Sequence, residues 1–564
     1  MTLHDVTPQY RVKPVDLAAA NELAAKVGVG AATAQVLVQR GLGPGDAGGF
    51  LEPKLADLSD PEPMADRSAA AERLAHACRR GERVAIFGDY DVDGTTSAAI
   101  LADALEKLGA QVQAHAANRF EGGYGFSDPA LERILAGNPQ LIITCDCGSA
   151  DHPRIARARE RGIDVIVVDH HLVPDEPLPA NAFLNPHRPD CAFAYAGLCS
   201  AGLALSLVAG LRMALGARLD VRQYLDLVAL GTVADVAPLD GDNRALVRAG
   251  LRVLAAPRLR PGVQALRDRA GLRARQPIGA GEIAFRLAPR LNAPGRLGDA
   301  ALTLALLRAR DPDEARRLAQ RVEEVNDERK AVERAMTEEA IAQVEALWGR
   351  SPEHGIVVAS ERFHRGVVGI TAARLVDRFG VPAVVVALDG SSGHGSGRTP
   401  SAIDLHAALS QCSTLFDRFG GHRAAAGVTL PAARMAEFRE AFAAVTPISG
   451  GPDTTLEVDV ELGDRFPMPT ARDLARLEPM GHGNRAPVFA LPGARVEDVR
   501  VVGDGQHLKL RLRHGDAVVG AFGANLAHHV DSIGDEVTAV GTLKPDLWRG
   551  GGALEIGLRA LGPC

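Results

Sequence analysis

Three aspartates at every second position, Asp89, Asp91 and Asp93, stand in the stretch VAIFGDYDVDGTTSAAI, residues 84–100. Like charges this close repel one another, so a positively charged partner is expected there. An EF-hand calcium loop begins with the same spacing, but its twelfth position must be glutamate, and here it is Ile100. A nucleotide-binding turn is also disfavoured, because three carboxylates repel phosphate unless a metal ion lies between them. The stretch therefore predicts a metal site.

More carboxylates and imidazoles follow other apolar runs. They are Asp146 in ITCDCGS, Asp169, His170 and His171 in VVDHH, and Asp235 in ALGTVADVAPL. Each alone is typical of a helix cap or a buried histidine, but together they predict one cluster of ligands. Oxygen-rich sets with one or two imidazoles suit Mg²⁺ or Mn²⁺ better than zinc. Several shared carboxylates suggest two metal ions, as in the hydrolysis of phosphate esters.

The elements that must position these residues are parallel strands. Between residues 70 and 240, the runs RVAIFGD, QVQAHAA, LIITCDCG and DVIVVDHH alternate with helical stretches such as SAAILADALEKLG. This βαβ succession predicts an α/β fold with a doubly wound parallel sheet. Ligands bind such sheets beyond the carboxyl ends of the strands, which is where the polar residues stand.

Five segments are predicted along the chain. They are an N-terminal lead segment (1–65), an α/β domain with the candidate metal ligands (66–305), a long connecting helix (306–350), a second α/β domain (351–448) and an OB-fold β-barrel (454–564). The helix is indicated by a charge-rich amphipathic pattern that starts at Asp311 and Pro312 and stops at Gly349. The barrel is indicated by short alternating strands such as VRVVGDGQHLKLRLRHGDAVVGAFG.

The composition of the 564-residue chain is typical of a globular protein, with 46% apolar and 24% charged residues and a net charge of −7. The uncharged run from Cys191 to Leu211 approaches membrane-spanning length, but its small and polar residues favour a buried helix. Seven cysteines without a CxxC pair indicate free thiols, so we expect a cytoplasmic protein with no membrane partner.

A basic stretch contrasts with the acidic total. Between Arg252 and Arg296 there are ten arginines and only two acids, Asp268 and Glu282. Such an excess fits a groove that follows a nucleic-acid backbone, and a solvated helical face is the alternative interpretation.

Several motifs carry a resemblance to a known family. GDYDVDG, TCDCG, VVDHH and TVADVAP, in this order, resemble the motifs of the DHH phosphoesterase superfamily. NRFEGGYG, APRLNAPGRL, HRGVVGITAARL, GSGRT and GGHRAAAG narrow the resemblance to the RecJ family of bacterial 5′→3′ single-strand-specific exonucleases. It covers roughly residues 70–560 and implies that the two α/β domains are a catalytic DHH domain and a substrate-binding DHH-associated domain, followed by a nucleic-acid-binding barrel. One departure is Thr399, where serine is commoner and a hydroxyl is kept.

The resemblance implies roles for individual residues. Asp89 and Asp91 would face one Mn²⁺ or Mg²⁺ ion, Asp93, His170 and Asp235 would face a second, and Asp146 would bridge both. His171, Arg398 and His422 would act on the reacting phosphate. Substrate would be bound by Arg119, Arg290, Asn292, Ser396, Gly397, Arg398, Gly421 and His422.

The function implied by the resemblance is 5′→3′ degradation of single-stranded DNA to mononucleotides in DNA repair and recombination. Single-stranded-DNA-binding protein and a RecQ-type helicase would be partners of a monomer. One alternative is a DHH phosphodiesterase for short oligoribonucleotides or cyclic dinucleotides, although such enzymes are usually much shorter. Another is an inactive DNA-binding scaffold, which the complete set of ligand residues disfavours. A pyrophosphatase of the same superfamily is disfavoured because it needs no long nucleic-acid path.

Overall fold

The computed structural model describes residues 9–121, 125–400, 403–447, 455–546 and 552–563. Part of the NRFEGGYG motif, residues 122–124, lies outside the described residues. The chain divides into two compact units, one of residues 57–451 and one formed by residues 1–56 together with 452–564.

The N-terminal segment belongs to the second of these units. Its elements are β1 (Tyr10–Val12), α1 (Leu17–Val27), α2 (Ala31–Gln39) and α3 (Ala47–Leu51). Leu23 and Leu37 share one buried apolar cluster with Phe489 and Leu510 of the C-terminal barrel. The sequence patterns assigned residues 1–65 to a separate lead segment and gave no indication of this packing.

The first domain of the larger unit contains the predicted parallel sheet. Its elements are α4 (Arg67–Arg80), β2 (Arg83–Gly88), α5 (Val92–Lys107), β3 (Gln111–Ala116), α6 (Asp128–Leu135), β4 (Leu141–Cys145), α7 (His152–Glu160), β5 (Asp164–Val168) and β6 (Ala182–Leu184). The strand order is β3-β2-β4-β5-β6, and every pairing is parallel. Phe87 and Val167 pack on one face against α6 and α7, while α5 and α8 (Ser200–Leu215) cover the other. The doubly wound fold is therefore confirmed.

A helical region follows the sheet. It comprises α9 (Leu225–Ala234), α10 (Gly241–Leu254), α11 (Pro261–Arg269), α12 (Ala280–Glu282), a π-helical turn (Ile283–Leu287), α13 (Ala288–Leu297) and α14 (Ala301–Arg308). Most residues of α8 are buried, so residues 200–211 of the uncharged run form a buried helix as expected, whereas residues 191–199 precede it as a loop. In the described part of the chain, no helix combines the length and apolar content needed to cross a membrane.

The long helix α15 (Pro312–Trp348) leads to the second domain. The carboxylate of Asp311 caps it by accepting a hydrogen bond from the amide of Glu314 at 2.8 Å, and Gly349 follows its end with a φ of 74°. Both ends match the start and stop residues in the sequence.

The second domain is built on a mixed sheet of order β10-β11-β9-β8-β7. Its elements are β7 (Ile356–Ser360), α16 (Val368–Phe379), β8 (Ala383–Asp389), β9 (Ser392–Arg398), α17 (Leu405–Gln411), β10 (Arg418–Gly421), β11 (Ala425–Pro431) and α18 (Met435–Val445). Only β7 and β8 pair in parallel among these described strands.

The C-terminal region is a closed barrel. Its elements are β12 (Leu456–Val458), β13 (Val460–Glu461), α19 (Ala471–Leu477), β14 (Val488–Val502), β15 (His507–His514), β16 (Ala517–Gly523), β17 (Glu536–Pro545) and β18 (Leu554–Pro563). Pairing runs β14-β15-β16-β18-β17 and returns to β14, so five strands close on themselves. This confirms the OB-like barrel.

Short 3₁₀ turns complete the described secondary structure. They lie at Leu55–Asp57, Val221–Tyr224, Ser413–Leu415, Ala432–Arg434 and Ala527–Ser532.

Candidate metal centre

Two glycines permit a tight strand-to-helix turn at the first aspartate motif. A Cβ at Gly94 would lie 2.5 Å from the backbone nitrogen of Asp89, and a Cβ at Gly88 would lie 2.4 Å from the carbonyl oxygen of Gly94. Asp91 caps α5 by accepting a hydrogen bond from the amide of Gly94 at 3.0 Å. Backbone contact at these glycines thus brings Asp89, Asp91 and Asp93 to the end of β2.

Asp146 follows β4 in an unusual backbone conformation. Its φ is 62°, in the left-handed region, which an aspartate tolerates better than most residues. The residue is 1% exposed. The strained turn directs a buried carboxylate to the edge of the sheet where the β2 motif ends.

The beginning of α8 holds a further ligand residue in place. The amides of Ser200 and Ala201 donate to the two oxygens of Asp93 at 2.7 and 2.9 Å. The hydroxyl of Ser200 also lies 3.3 Å from Asp146 Oδ1. One turn of helix therefore links two of the predicted metal ligands.

The ligand atoms of the predicted residues converge into three groups. These are Asp89, Asp91 and Asp146; Asp93, His170 and Asp235; and Asp146, His170 and His171. Within each group the ligand atoms lie within 4.8 Å of one another. His170 Nε2 is 3.1 Å from Asp146 Oδ1 and 3.7 Å from Asp235 Oδ2. All six residues predicted as metal ligands thus lie in one cluster, and Asp146 belongs to both the first and the third group.

The electrostatics of this cluster favour a cationic occupant. Burial and then the charge of Asp91 raise the pKa of Asp89, while burial and the charges of Asp93 and Asp91 raise the pKa of Asp235 to about 8. Burial and neighbouring carboxylates raise the pKa of Asp146 in the same way. Among the described residues, the buried Asp89 Oδ1 also has no hydrogen-bond partner. Divalent cations would offset the repulsion between these buried carboxylates and would give the unpaired Asp89 oxygen a partner. The residues therefore fit Mn²⁺ or Mg²⁺.

The thiols next to Asp146 are unsuited to metal binding. Cys145 and Cys147 are fully buried, and burial raises the pKa of each. A protonated thiol is a poor metal ligand, which supports packing as the role of both cysteines.

His171 is oriented by Asp169. Its Nδ1 lies 2.7 Å from Asp169 Oδ1, and its backbone amide donates to the same oxygen. Although burial opposes protonation, this hydrogen bond and the nearby carboxylates raise the pKa of His171 to about 9. Asp169, predicted only as part of the cluster, therefore positions the imidazole.

A group of arginines lies beside the aspartate motif. The Arg119 guanidinium stacks on the Tyr90 ring at 4.0 Å, and a Cβ at Gly295 would lie 2.4 Å from the Tyr90 carbonyl oxygen. Burial and the charges of Arg119, Arg329 and Arg398 lower the pKa of Arg296 to about 10. Three of these cations, Arg119, Arg296 and Arg398, form what we call the arginine cluster. Clustered cations of this kind fit an anionic group.

The second domain contributes to the arginine cluster through β9 and α16. Arg398 Nη1 donates to Ser396 Oγ at 3.0 Å and to the Gly397 carbonyl oxygen at 2.7 Å. A Cβ at Gly369, in the first turn of α16, would lie 3.1 Å from Arg398 Nη2. Glycine at 369 therefore keeps space beside the guanidinium.

Two predicted substrate-binding residues on α13 have different surroundings. Arg290 forms a two-point ion pair with Glu323 of α15, with nitrogen–oxygen distances of 2.5 and 3.0 Å. Asn292 lies half-buried on the same helix. Arg296, which is not among the predicted substrate-binding residues, is the arginine of α13 that adjoins Arg119 and Arg398. The adjacent Gly295 is closely packed against Tyr90, but that contact is visible only in the structure and gave no signal in the sequence.

The turn between β10 and β11 carries the remaining predicted residues. Gly421 has a φ of 140°, and the amide of the exposed His422 donates to the Ala425 carbonyl oxygen at 2.8 Å. Arg418, on the same strand, lines a cavity of about 210 Å³ together with Asp169 and His171. The second domain thus forms one wall of a cavity beside the metal centre.

Comparisons with known proteins agree with this geometry. Residues 83–232 match the DHH family N-terminal domain, residues 353–446 the DHHA1 domain and residues 458–560 the RecJ OB domain. The single-stranded-DNA-specific exonuclease RecJ of Escherichia coli (strain K12) is 36% identical over 515 residues, covering 86% of this chain and 88% of the relative. RecJ of Bacillus subtilis (strain 168) is 34% identical over 539 residues, covering 91% of this chain, and this chain spans 66% of that relative's length.

A solved structure shows the same architecture. The crystal structure of RecJ in complex with Mn²⁺ from Thermus thermophilus superposes with a TM-score of 0.81 at 32% identity, covering 98% of this chain and 79% of that one. Similarity over most of the chain, three matching domains in order and an equivalent fold together show that this chain belongs to the RecJ family of DHH phosphoesterases.

Proposed function

We propose that this chain is a metal-dependent exonuclease that degrades single-stranded DNA from its 5′ end to mononucleotides. The observation that carries the proposal is the set of three adjoining ligand groups at the edge of the parallel sheet, in which Asp146 lies with Asp89 and Asp91 on one side and with His170 on the other. The relatives named RecJ are single-stranded-DNA-specific exonucleases, which supports the same substrate here.

Two divalent ions are held, in this proposal, by residues at adjoining positions. Asp89, Asp91 and Asp146 would bind one, and Asp93, His170 and Asp235 with Asp146 would bind the other. Such ions, when bound, activate water and neutralise charge on the scissile phosphate. The structure of the Thermus relative with Mn²⁺ supports this choice of metal.

The remaining polar residues would orient substrate. Asp169 fixes the imidazole of His171 beside the ligand carboxylates, where it can donate to a phosphoryl oxygen. His422 lies at the tip of an exposed turn and is a second candidate donor. Preorganised donors of this kind stabilise charge that develops during hydrolysis.

The 5′→3′ direction of degradation is attributed to the arginine cluster, which would bind the 5′ end of the strand. Arg119 and Arg398 present guanidinium groups that match the geometry of a phosphate monoester, the group at a 5′ end. An end-binding site next to the metal centre would place one terminal phosphodiester for cleavage, which accounts for exonuclease activity.

Cellular roles follow from family membership as further proposals. We infer a cytoplasmic monomer that acts in DNA repair and recombination with single-stranded-DNA-binding protein and a RecQ-type helicase.

The test is a time course with oligonucleotides labelled at the 3′ end, with Mn²⁺ or with chelator, beside the Asp91→Ala variant. Progressive shortening of single-stranded DNA alone, lost with chelator and in the variant, is the expected result. Parallel substrates are duplex DNA, RNA and a strand blocked at its 5′ end. Cleavage of dinucleotides without cleavage of longer DNA would instead indicate the small phosphodiesterase, and binding without cleavage would indicate a scaffold.

A further inference from the structure

A groove of about 640 Å³ runs along α15 between α13 and α16. Five cationic side chains line it, namely Arg290, Arg329, Lys330, Arg334 and Arg374, against two acidic ones, Glu333 and Glu338. Its residues on α15 extend from Asn326 to Glu338, about 18 Å along a helix axis. The groove is therefore an elongated surface whose lining carries more cations than acids, although Glu323 and Asp327 beside it pair with Arg290 and Lys330.

An exposed aromatic ring stands at the rim of this groove. Phe285 is 83% exposed, the largest exposed fraction among the large apolar side chains of the described residues. It lies in the π-helical turn Ile283–Leu287, a distortion that is rare and concentrated at functional sites. A ring left in water at such a turn fits a planar apolar partner, such as a nucleobase.

Ion pairs hold most of the cationic wall in a fixed arrangement. Glu333, on α15, accepts from both Arg329 and Arg374 and so ties α16 to the long helix. Arg334 is exposed and forms no ion pair in the described parts of the chain. It is thus the groove cation best placed to bind a phosphate oxygen.

Two polar groups that line the groove on α15 lack hydrogen-bond partners among the described residues. Asn326 is 1% exposed, and its Oδ1 accepts from Arg329 at 2.8 Å, but its Nδ2 has no hydrogen-bond partner among the described residues. The hydroxyl of Thr337, which lines the same groove, is likewise unpaired there. Two unsatisfied groups on one wall indicate a polar ligand or ordered water.

We propose that this groove binds the phosphodiester backbone of a single nucleic-acid strand, with one base stacked on Phe285. Alternating aromatic and cationic contacts are how proteins hold single strands without reading sequence. The groove adjoins the arginine cluster, since the charge of Arg329 acts on Arg296. It also gives a role to part of the basic stretch Arg252–Arg296, where Arg290 lies. The inference rests on the proposed function, because it assigns the strand a second contact away from the metal centre.

The test measures binding by the full chain with cleavage silenced by Asp91→Ala in every protein compared. Fluorescence anisotropy with labelled oligothymidylate should show affinity lowered at least about fivefold by Phe285→Ala. Arg334→Glu should reduce the slope of log affinity against log salt by roughly 0.7, the value for one lost phosphate contact. Matched controls are Met213→Ala, another exposed apolar residue, and Arg317→Glu, an exposed arginine on the same helix. Both controls should bind like the parent.

Crosslinking provides a second readout. Phe285→p-benzoylphenylalanine should form a light-dependent adduct with oligothymidylate, and excess unlabelled oligothymidylate should suppress it. Unchanged affinity in both groove variants together with no adduct would overturn the proposal. Suppression of the adduct by polyglutamate but not by unlabelled DNA would also overturn it, in favour of an acidic protein partner.

Failure of this inference can be separated from failure of the proposed function. Hydrolysis of the 4-nitrophenyl ester of thymidine 5′-monophosphate by the unmodified chain reports on the metal centre without an adjoining strand. If the chain hydrolyses this ester but the groove variants bind oligothymidylate like the parent, the groove proposal is rejected and the proposed function is not.

Discussion

Gly231 of α9 packs directly against the carboxylate of Asp93. A Cβ at position 231 would lie 2.7 Å from Asp93 Oδ1 and 2.7 Å from the Cβ of Ala201. Two amides at the start of α8 hold the same carboxylate through hydrogen bonds. Asp93 therefore occupies a slot between two helices, with no space for even one more carbon.

Gly231→Ala is expected to weaken Mn²⁺ binding at least about tenfold, comparable to loss of a group that orients a metal ligand. The added methyl group must displace Asp93 or separate α8 from α9, since both neighbours are closely packed. Isothermal titration of metal-free protein with Mn²⁺ measures the effect independently of catalysis. Gly49→Ala is the matched control, because a Cβ there would have no neighbour within 4 Å. Equal Mn²⁺ affinity in both variants would contradict the proposed tight packing around Asp93.

Metal-free protein should lose stability as pH rises. Burial and two neighbouring carboxylates raise the pKa of Asp235 from 3.8 to about 8, so folding favours its protonated form. That stabilising contribution is complete below pH 3.8 and is lost as pH increases to about 8. In chelator, the melting temperature of the parent should therefore fall more steeply between pH 5 and pH 8 than that of Asp235→Asn.

Mn²⁺ should reverse this trend, because it binds the deprotonated carboxylates and competes with protons. The increase in melting temperature on adding Mn²⁺ should grow from pH 5 to pH 8 in the parent and be smaller in Asp235→Asn. Parallel pH curves for the two proteins in chelator would rule out a raised pKa at Asp235.

A buried ion pair within the basic stretch should contribute to stability. Arg260 donates to Asp226 at 2.8 Å, and Asp226 is only 2% exposed. Arg260→Ala would leave that carboxylate buried without its cation, so we expect a loss of about 3–5 kcal/mol in the free energy of unfolding. Urea denaturation measures the loss, and Arg258→Ala, which removes a nearby exposed arginine, serves as the control. A difference below about 1 kcal/mol between the variants would show that the pair behaves like a surface salt bridge.

The convergence of the candidate metal ligands could be predicted from the sequence because local patterns determine it. Apolar runs fixed the strands, and parallel strands bring their carboxyl ends to one edge, so Asp89, Asp146 and His170 had to converge. The long helix was equally predictable, because capping residues mark both of its ends.

The arginines were harder to assign, because their roles depend on distant partners. Arg290 and Arg296 lie in one short motif, yet Glu323 pairs with the first while the second adjoins Arg398 of another domain. Nothing near either arginine in the sequence encodes those neighbours. The packing of residues 9–56 with the C-terminal barrel was missed for the same reason, since the contacting residues are far apart along the chain.

Arg398→Lys should reduce the preference for a 5′-phosphorylated end. The Arg398 guanidinium is fixed by hydrogen bonds to Ser396 and to the Gly397 carbonyl oxygen, and a lysine keeps the charge without the planar fork. We expect the ratio of kcat/KM for 5′-phosphorylated over 5′-hydroxyl oligothymidylate to fall by roughly tenfold, as for loss of one charged hydrogen bond of about 1.5 kcal/mol. The exposed Arg350→Lys is the control with the same chemical change. Because both substrates use the same metal centre, a general defect would lower both rates and leave the ratio intact. An unaltered ratio in Arg398→Lys would therefore assign end recognition to other residues of the arginine cluster, beginning with Arg119.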